Sequence, residues 1–305
     1  MHTISGDGIH GLIAAYLQVL TGAFDLVVVE SHSKASNVLT KDHILAYALD
    51  PVFNRPLAVN PHFVAGLEMN RYLYDTAAPR EACAPVVVKT KAHARLSPAA
   101  AYPARLTVAQ VMATHPLAAP LSELDVARHA DGAIVMVVAS ARKAQEMGVE
   151  PIWIRGAGWA NGSQMLENRD WGSVPYVRTA ATMAYKQAGI RSPRSEIDFA
   201  EVDDTFSYKE LQHLEALGLC NEGQAGAWTA SGGTELIGEF PVNPSGGCLG
   251  SGNLLDANGL ARALEIVLQL RGECGQRQLE GLETGLAFSW RGVPTTAGAA
   301  VILSN

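Results

Sequence analysis

A chain of 305 residues with 48% apolar and 17% charged side chains is globular, with room for two domains or one large α/β unit. Its formal charge of −7 excludes a nucleic-acid backbone as principal partner, because the longest cationic run is Lys89-Thr90-Lys91. No apolar run is long enough for a membrane span, and the N-terminus shows no basic region or cleavage site. Four cysteines without C-x-x-C spacing speak against zinc and against a disulfide framework, so the expected compartment is the cytoplasm.

In chain order, Ile9, Leu12, Ile13, Tyr16, Leu17 and Leu20 recur at helical spacing over 7–22, and Gly22 stops the helix. Phe24 to Glu30 reads as a buried strand of a mostly parallel sheet. Residues 31–120 are rich in Pro, Ala, His and Asn, and read as an inserted loop region with short helices such as 63–74. Regular structure resumes with a strand at 131–139, a short helix at 140–147 and a strand at 151–156. A helix at 176–188 closes on Gly189, and a strand follows at 197–202. A helix at 207–217 carries a capping-box pattern, Ser207 with Glu210. A helix at 258–270 and strands at 284–289 and 298–303 complete the chain. Gly-rich turns open both the first helix and the 258–270 helix, which suggests a duplicated α/β fold.

The first of those turns, Gly6-Asp7-Gly8-Ile9-His10-Gly11, is a formal G-x-G-x-x-G with Glu30 a strand-end later. A dinucleotide fingerprint needs a strand ahead of the first glycine and a helix after the third. The helix is present, but Met1 to Ser5 is a short strand. The flavin or nicotinamide oxidoreductase therefore stands as an alternative.

The downstream half points elsewhere. Asp198 to Gly218 (DFAEVDDTFSYKELQHLEALG), Pro241 to Asn253 (PVNPSGGCLGSGN), Gly259-Leu-Ala-Arg-Ala-Leu-Glu265, Gln269 to Gln278 and Gly285-Leu-Ala-Phe-Ser289 follow one another in order. This series resembles the thiolase superfamily, closest to its archaeal and sterol-carrier-protein types. The resemblance implies an α/β fold of duplicated five-stranded mixed sheets in α-β-α-β-α layers, with a shortened N-terminal half. It divides the chain into halves at 1–150 and 151–305. It also implies acyl-CoA chemistry with a coenzyme A thioester as substrate and no tightly bound cofactor or metal.

Carried over position by position, the resemblance puts the family's nucleophilic cysteine on Ser5, at a strand-to-helix turn where a helix N-terminus would lower a thiol pKa. The Gly-His-Pro histidine falls on Asn253, which cannot shuttle a proton. A further catalytic position falls on Asp203, beside Asp204, and the last catalytic loop on Phe288 and Ser289. The pocket-lining set is Gly246, Gly247, Cys248, Phe206, Tyr208 and Phe288. Two readings of the carboxylates stand. They share a proton as a base, or Asp204 caps the next helix while Asp203 faces solvent. Cys248 is a thiol near substrate or a small buried hydrophobe, and His10 a candidate base or a packing residue.

Every position that would carry acyl or proton chemistry is thus altered, while the scaffold glycines remain. Three functions follow. The first is a subunit that makes or breaks a carbon–carbon bond beside a CoA thioester by a non-cysteine route, acyltransferase-like or retro-aldol. The second is a catalytically silent scaffold subunit, and the third is the oxidoreductase above. The resemblance implies a homo- or hetero-oligomer with a thiolase-like chain, and an accessory zinc-ribbon and OB-fold protein. An uncovered first sheet, whose strands come from another subunit or from a different start, points the same way.

Overall fold

The structure is a computed structural model that describes residues 2–163, 165–292 and 296–305, with only the backbone described at 41–43. Asp7 caps helix α1 (Gly8–Leu20) with its own side chain, and the apolar stripe of Ile9, Leu12 and Ile13 is buried. Strand β1 (Leu26–Lys34) pairs antiparallel with β2 (Asp131–Ala139) as a two-stranded sheet. The buried parallel strand expected at 24–30 is therefore corrected. Its valines alternate between faces, and Val28, Val135 and Val137 stand 58%, 60% and 59% exposed. No strand precedes α1 among the described residues.

The segment between those strands forms helices α2 (Pro61–Asp75) and α3 (Ala84–His93) with several short turns. Helix α2 covers the expected 63–74. Helix α3 was not anticipated: Lys89, Lys91 and His93 break its apolar pattern, yet all three are buried.

The second sheet has the order β3-β6-β5-β4, with β3 at Trp153–Asn161, β4 at Phe199–Glu201, β5 at Thr284–Arg291 and β6 at Ala297–Ser304. Only β4 and β5 run parallel; the other pairs are antiparallel. The fold is the expected α/β class with a mixed sheet, although the two main sheets hold two and four described strands rather than five each. Helix α4 (Pro175–Ala188) packs on one face through Gly156 and Gly158, where an added Cβ would lie 2.1 Å from Ala184 O and 2.0 Å from Ala180 O. Helix α5 (Ser207–Ala216) shares that side. Its predicted capping box is not made, because Ser207 Oγ donates to Asp125 and Glu210 holds Lys89 and Asn243.

On the other face lie α1 and α6 (Asn258–Leu270), in contact near their N-terminal ends. A Cβ on Gly8 would stand 2.4 Å from Leu260 N, and one on Gly259 would stand 2.2 Å from Asp7 Oδ1. The central glycine of the motif that raised the dinucleotide reading, Gly8, thus serves helix–helix packing, and the anion at the α1 N-terminus is the protein's own Asp7 carboxylate.

Candidate functional site

The carboxyl ends of β4 and β5 bring the site together. Asp203 lies two residues past the end of β4 and is fully buried. Its Oδ1 accepts the Thr205 N–H at 2.9 Å, and its Oδ2 accepts Arg262 Nη2 at 2.7 Å. Arg262 reaches in from α6, donating from Nη1 to Ser289 Oγ at 3.0 Å and from Nη2 toward Cys248 Sγ at 2.9 Å. Asp203, Ser289 and Cys248 thus meet at one buried guanidinium. Burial opposes the Arg262 charge, but Asp203, Cys248 and Asp204 outweigh it and hold its proton more firmly than usual.

Asp204 turns the other way. Its carboxylate accepts the N–H groups of Cys248 at 2.6 Å and Leu249 at 3.1 Å, the opening of the turn Gly247–Ser251. The alternative in which Asp204 caps the next helix and Asp203 faces solvent is therefore corrected. Asp203 is buried rather than solvent-facing, and Asp204 caps the Gly-rich turn rather than the next helix. Gly247, at φ 54°, lies so close to this carboxylate that a Cβ would meet Asp204 Oδ2 at 2.2 Å. Gly246 packs as tightly on Ala94. Burial first, and Glu210 next, push the Asp204 carboxyl up to about 7.

Asp7 completes the set from α1. Besides the Ile9 N–H at 2.9 Å it accepts the Gly259 N–H at 2.8 Å. Burial pushes its carboxyl up to about 6, against the pull of Arg262. Ser5, two residues earlier, is exposed, so the residue of this turn that reaches the cluster is Asp7. Asn253 is buried but committed: its Oδ1 accepts Asn258 Nδ2 and the Leu255 N–H, both at 2.8 Å. No bond links it to Arg262 or Asp203 among the described residues.

Strand alternation separates the other two predictions. Ser289 faces α6 and Arg262, whereas Phe288 faces α5 and meets the His213 ring edge-on at 4.9 Å. Phe206, Tyr208 and Trp290 form an aromatic group on that second side. There Lys209 pairs with Glu68 at 2.9 Å and stands 4.4 Å from the Trp290 ring centroid, while Tyr208 Oη donates to Glu68 at 2.7 Å. His10 is half-buried, and burial and then Arg291 lower its proton affinity, as suits a packing residue.

Cys248 is buried, and burial holds its thiol well above the ordinary range despite the adjacent Arg262. A protonated thiol is a poor nucleophile. The set therefore offers carboxyl groups, a guanidinium and a hydroxyl, which suit proton transfer and stabilisation of an oxyanion.

Sequence reading missed Arg262, Asp7 and His213. Arg262 left one signal: it is a charge set beside Leu260, Ala263 and Ile266 on the buried part of the 258–270 helix, which also buries Glu265. Asp7 was read as part of a glycine motif, and His213 as an ordinary helix residue.

Comparison with known proteins agrees with this architecture. Residues 157–305 match the family described as thiolase C-terminal domain-like. The acetyl-CoA acetyltransferase of Methanothermobacter thermautotrophicus is 32% identical over 95% of this chain and 76% of its own length. The 17-hydroxy-3-oxo-4-pregnene-20-carboxyl-CoA lyase of Mycobacterium tuberculosis is 27% identical over 92% of this chain and 75% of its own. Among solved structures, the Ltp2-ChsH2(DUF35) aldolase superposes with a TM-score of 0.82 at 25% identity, covering 98% of this chain and 78% of that one. The chain spans about three quarters of the length of these proteins. It belongs to the thiolase superfamily.

Proposed function

We propose that the protein cleaves a carbon–carbon bond beside a CoA thioester by retro-aldol chemistry, without an acyl-enzyme. The observation that carries this reading is the Arg262 set. It holds carboxyl groups and a cation but no ionised thiol, and the turn where the family's nucleophile is expected presents an oxygen side chain. Acyl transfer through an enzyme thioester needs that nucleophile. Retro-aldol cleavage needs only a base for the β-hydroxyl, a donor for the enolate oxygen and an acid for the α-carbon. Arg262 supplies the donor, and Asp203 and Asp7, which flank it, exchange the α-carbon proton. The lyase and aldolase among its relatives support this direction.

The exposed Val28, Val135 and Val137 face supports a working oligomer with a thiolase-like chain. An accessory zinc-ribbon and OB-fold protein belongs to the same proposal. A second reading, a catalytically silent scaffold, draws on the internal partners that occupy Asp203, Asp204 and Asn253.

The test is incubation of the purified protein with 3-hydroxyacyl-CoA, and separately with 3-ketoacyl-CoA plus free CoA, with products read by mass spectrometry. The expected result is a shortened acyl-CoA plus an aldehyde or ketone from the hydroxy substrate, lost in Asp203→Asn and Arg262→Gln. Thiolysis of the keto substrate would overturn the retro-aldol reading. If neither substrate turns over, and an associated cysteine-bearing thiolase keeps its activity with both variants, the scaffold reading takes its place.

A further inference from the structure

Strand β4 ends at Glu201, and the site residues Asp203 and Asp204 lie just beyond it. Val202, the first residue past the strand, is fully buried. Its N–H donates to a side chain rather than to a strand: the acceptor is Asn243 Oδ1, at 2.8 Å. Asn243 is held there by its own backbone, whose N–H donates to Ala200 O at 2.8 Å beside the bridge between Ala200 and Val242. Its φ of 53° lies in the left-handed region that asparagine tolerates better than most residues. Each of its polar groups is engaged. The carbonyl lies 3.1 Å from His93 Nδ1, and Nδ2 donates to Glu210 Oε2 at 2.7 Å.

Glu210 is buried on α5, and Lys89 Nζ, buried on α3, lies 2.6 Å from its other oxygen, Oε1. A carboxylate paired with an ammonium group only accepts hydrogen bonds. It therefore selects one orientation of the Asn243 amide, with the NH2 end toward Glu210 and the oxygen toward the Val202 N–H. The reverse orientation would set oxygen against carboxylate and NH2 against N–H, leaving buried groups unsatisfied. Lys89, Glu210, Asn243 and Val202 thus form one buried chain of hydrogen bonds that ends one residue before Asp203.

We propose that Glu210 is a positioning residue for Asp203: through Asn243 it fixes the strand end from which Asp203 reaches Arg262. The consequence for catalysis rests on the retro-aldol reading, whereas the hydrogen-bond chain stands on geometry alone. Asp203 Oδ2 lies 2.7 Å from Arg262 Nη2, and a displacement of about 1 Å at such a group costs up to about a hundredfold in rate.

The test reverses the polarity of the pair without changing its shape. An amide at position 210 has one acceptor where two donors, Lys89 and Asn243, each require one, so Glu210→Gln breaks the chain however its amide turns. Adding Asn243→Asp mends it: the new amide accepts from Lys89 and donates to one oxygen of the new carboxylate, whose other oxygen accepts the Val202 N–H. The net charge is that of wild type. Two quantities are measured on the full chain: the amide-proton resonance of Val202 in 15N-labelled protein, and kcat and KM for cleavage of a 3-hydroxyacyl-CoA. Glu210→Gln is expected to move the Val202 proton upfield and to lower kcat by about 10–100-fold with KM within about twofold, and the double variant to restore both readings. A pure packing role predicts no change, because Glu and Gln share one shape. A Val202 resonance or a kcat left at the wild-type value by Glu210→Gln overturns the proposal, as does a double variant no better than the single one. The double variant also decides the case where Glu210→Gln does not fold, since only the mended chain should match wild type. If the resonance follows the expected pattern but wild type cleaves no thioester, the retro-aldol reading falls and the fixing of the strand end stands.

Discussion

The carboxylate of Asp7 accepts the backbone N–H of Gly259 at 2.8 Å while it caps its own helix through Ile9. One side chain thus joins the N-terminal ends of α1 and α6, the two helices that the repeated Gly-rich turns foreshadowed. Their close approach is what excludes side chains at Gly8 and Gly259.

Gly8→Ala is expected to destabilise the protein by about 1–3 kcal/mol, the usual cost of overpacking, because its Cβ meets the Leu260 backbone rather than a side chain that can turn away. Gly22→Ala is the control: nothing lies within 4 Å of its Cβ, so its cost comes from its φ of 74° alone. Denaturant titration should show Gly8→Ala with the lower midpoint. The reverse order would mean that α1 and α6 do not meet at this glycine.

Stability should fall as pH rises through the buried carboxyls. Burial pushes Asp7 up to about 6, Asp204 to about 7 and Glu201 to about 8, the last with help from Glu265. Each folded-state value exceeds the unfolded one, so the native state binds more protons in between, and the stabilisation present near pH 4 is lost by about pH 8. Glu201 accepts from Ser245 N at 2.9 Å and pairs with its hydroxyl at 2.8 Å, contacts that an amide can also make. Glu201→Gln is therefore expected to flatten the upper part of this profile, with a higher Tm than wild type at pH 8 and little change at pH 5. An unchanged slope between those pH values would refute the assignment.

Much of the fold could be read from periodicity. Helices over 8–20, 175–188 and 258–270 and the strand over 131–139 lie where their apolar spacing places them. The site was less legible, because its geometry depends on contacts distant in sequence. Asp203 was found at a strand end, but its partner Arg262 lies 59 residues on. The resemblance put the nucleophile position on Ser5, which is exposed, while the helix cap Asp7 is the residue of that turn buried near Arg262. Asn253 drew notice for what it replaces, and its amide serves the turn into α6 instead. Ser207 and Glu210 show the same limit: a local capping pattern loses to buried partners across the core.

Removing the guanidinium while leaving its counter-ion should be costly. Asp203 and Arg262 are both buried, and an uncompensated buried charge costs about 3–5 kcal/mol. Arg262→Gln and Asp203→Asn are each expected to destabilise by that order. The double variant, which leaves neither charge unpaired, should be less destabilised than the sum of the two. The coupling measured by urea titration of all four proteins decides it, and strict additivity would show that the pair is not buried together.

Cys248 provides the sharpest contrast with thiol-based acyl transfer. A thiolate beside a guanidinium is the usual recipe for a reactive cysteine, and Arg262 Nη2 is 2.9 Å from this sulfur. Burial nevertheless dominates and keeps the thiol protonated, with Asp204 and Asp203 adding to the effect. Native protein at pH 8 is therefore expected to leave Cys248 unmodified by iodoacetamide, with modification after denaturation. Incubation with acetyl-CoA should leave no acetyl group on it. Peptide mass mapping reads both outcomes, and Cys248→Ala should retain C–C cleavage to within about tenfold, since the substitution removes one weak hydrogen-bond acceptor of Arg262 and no proton-transfer group. Rapid alkylation or an acetylated Cys248 peptide would return the chemistry to an acyl-enzyme route, with Arg262 as the group that activates the sulfur.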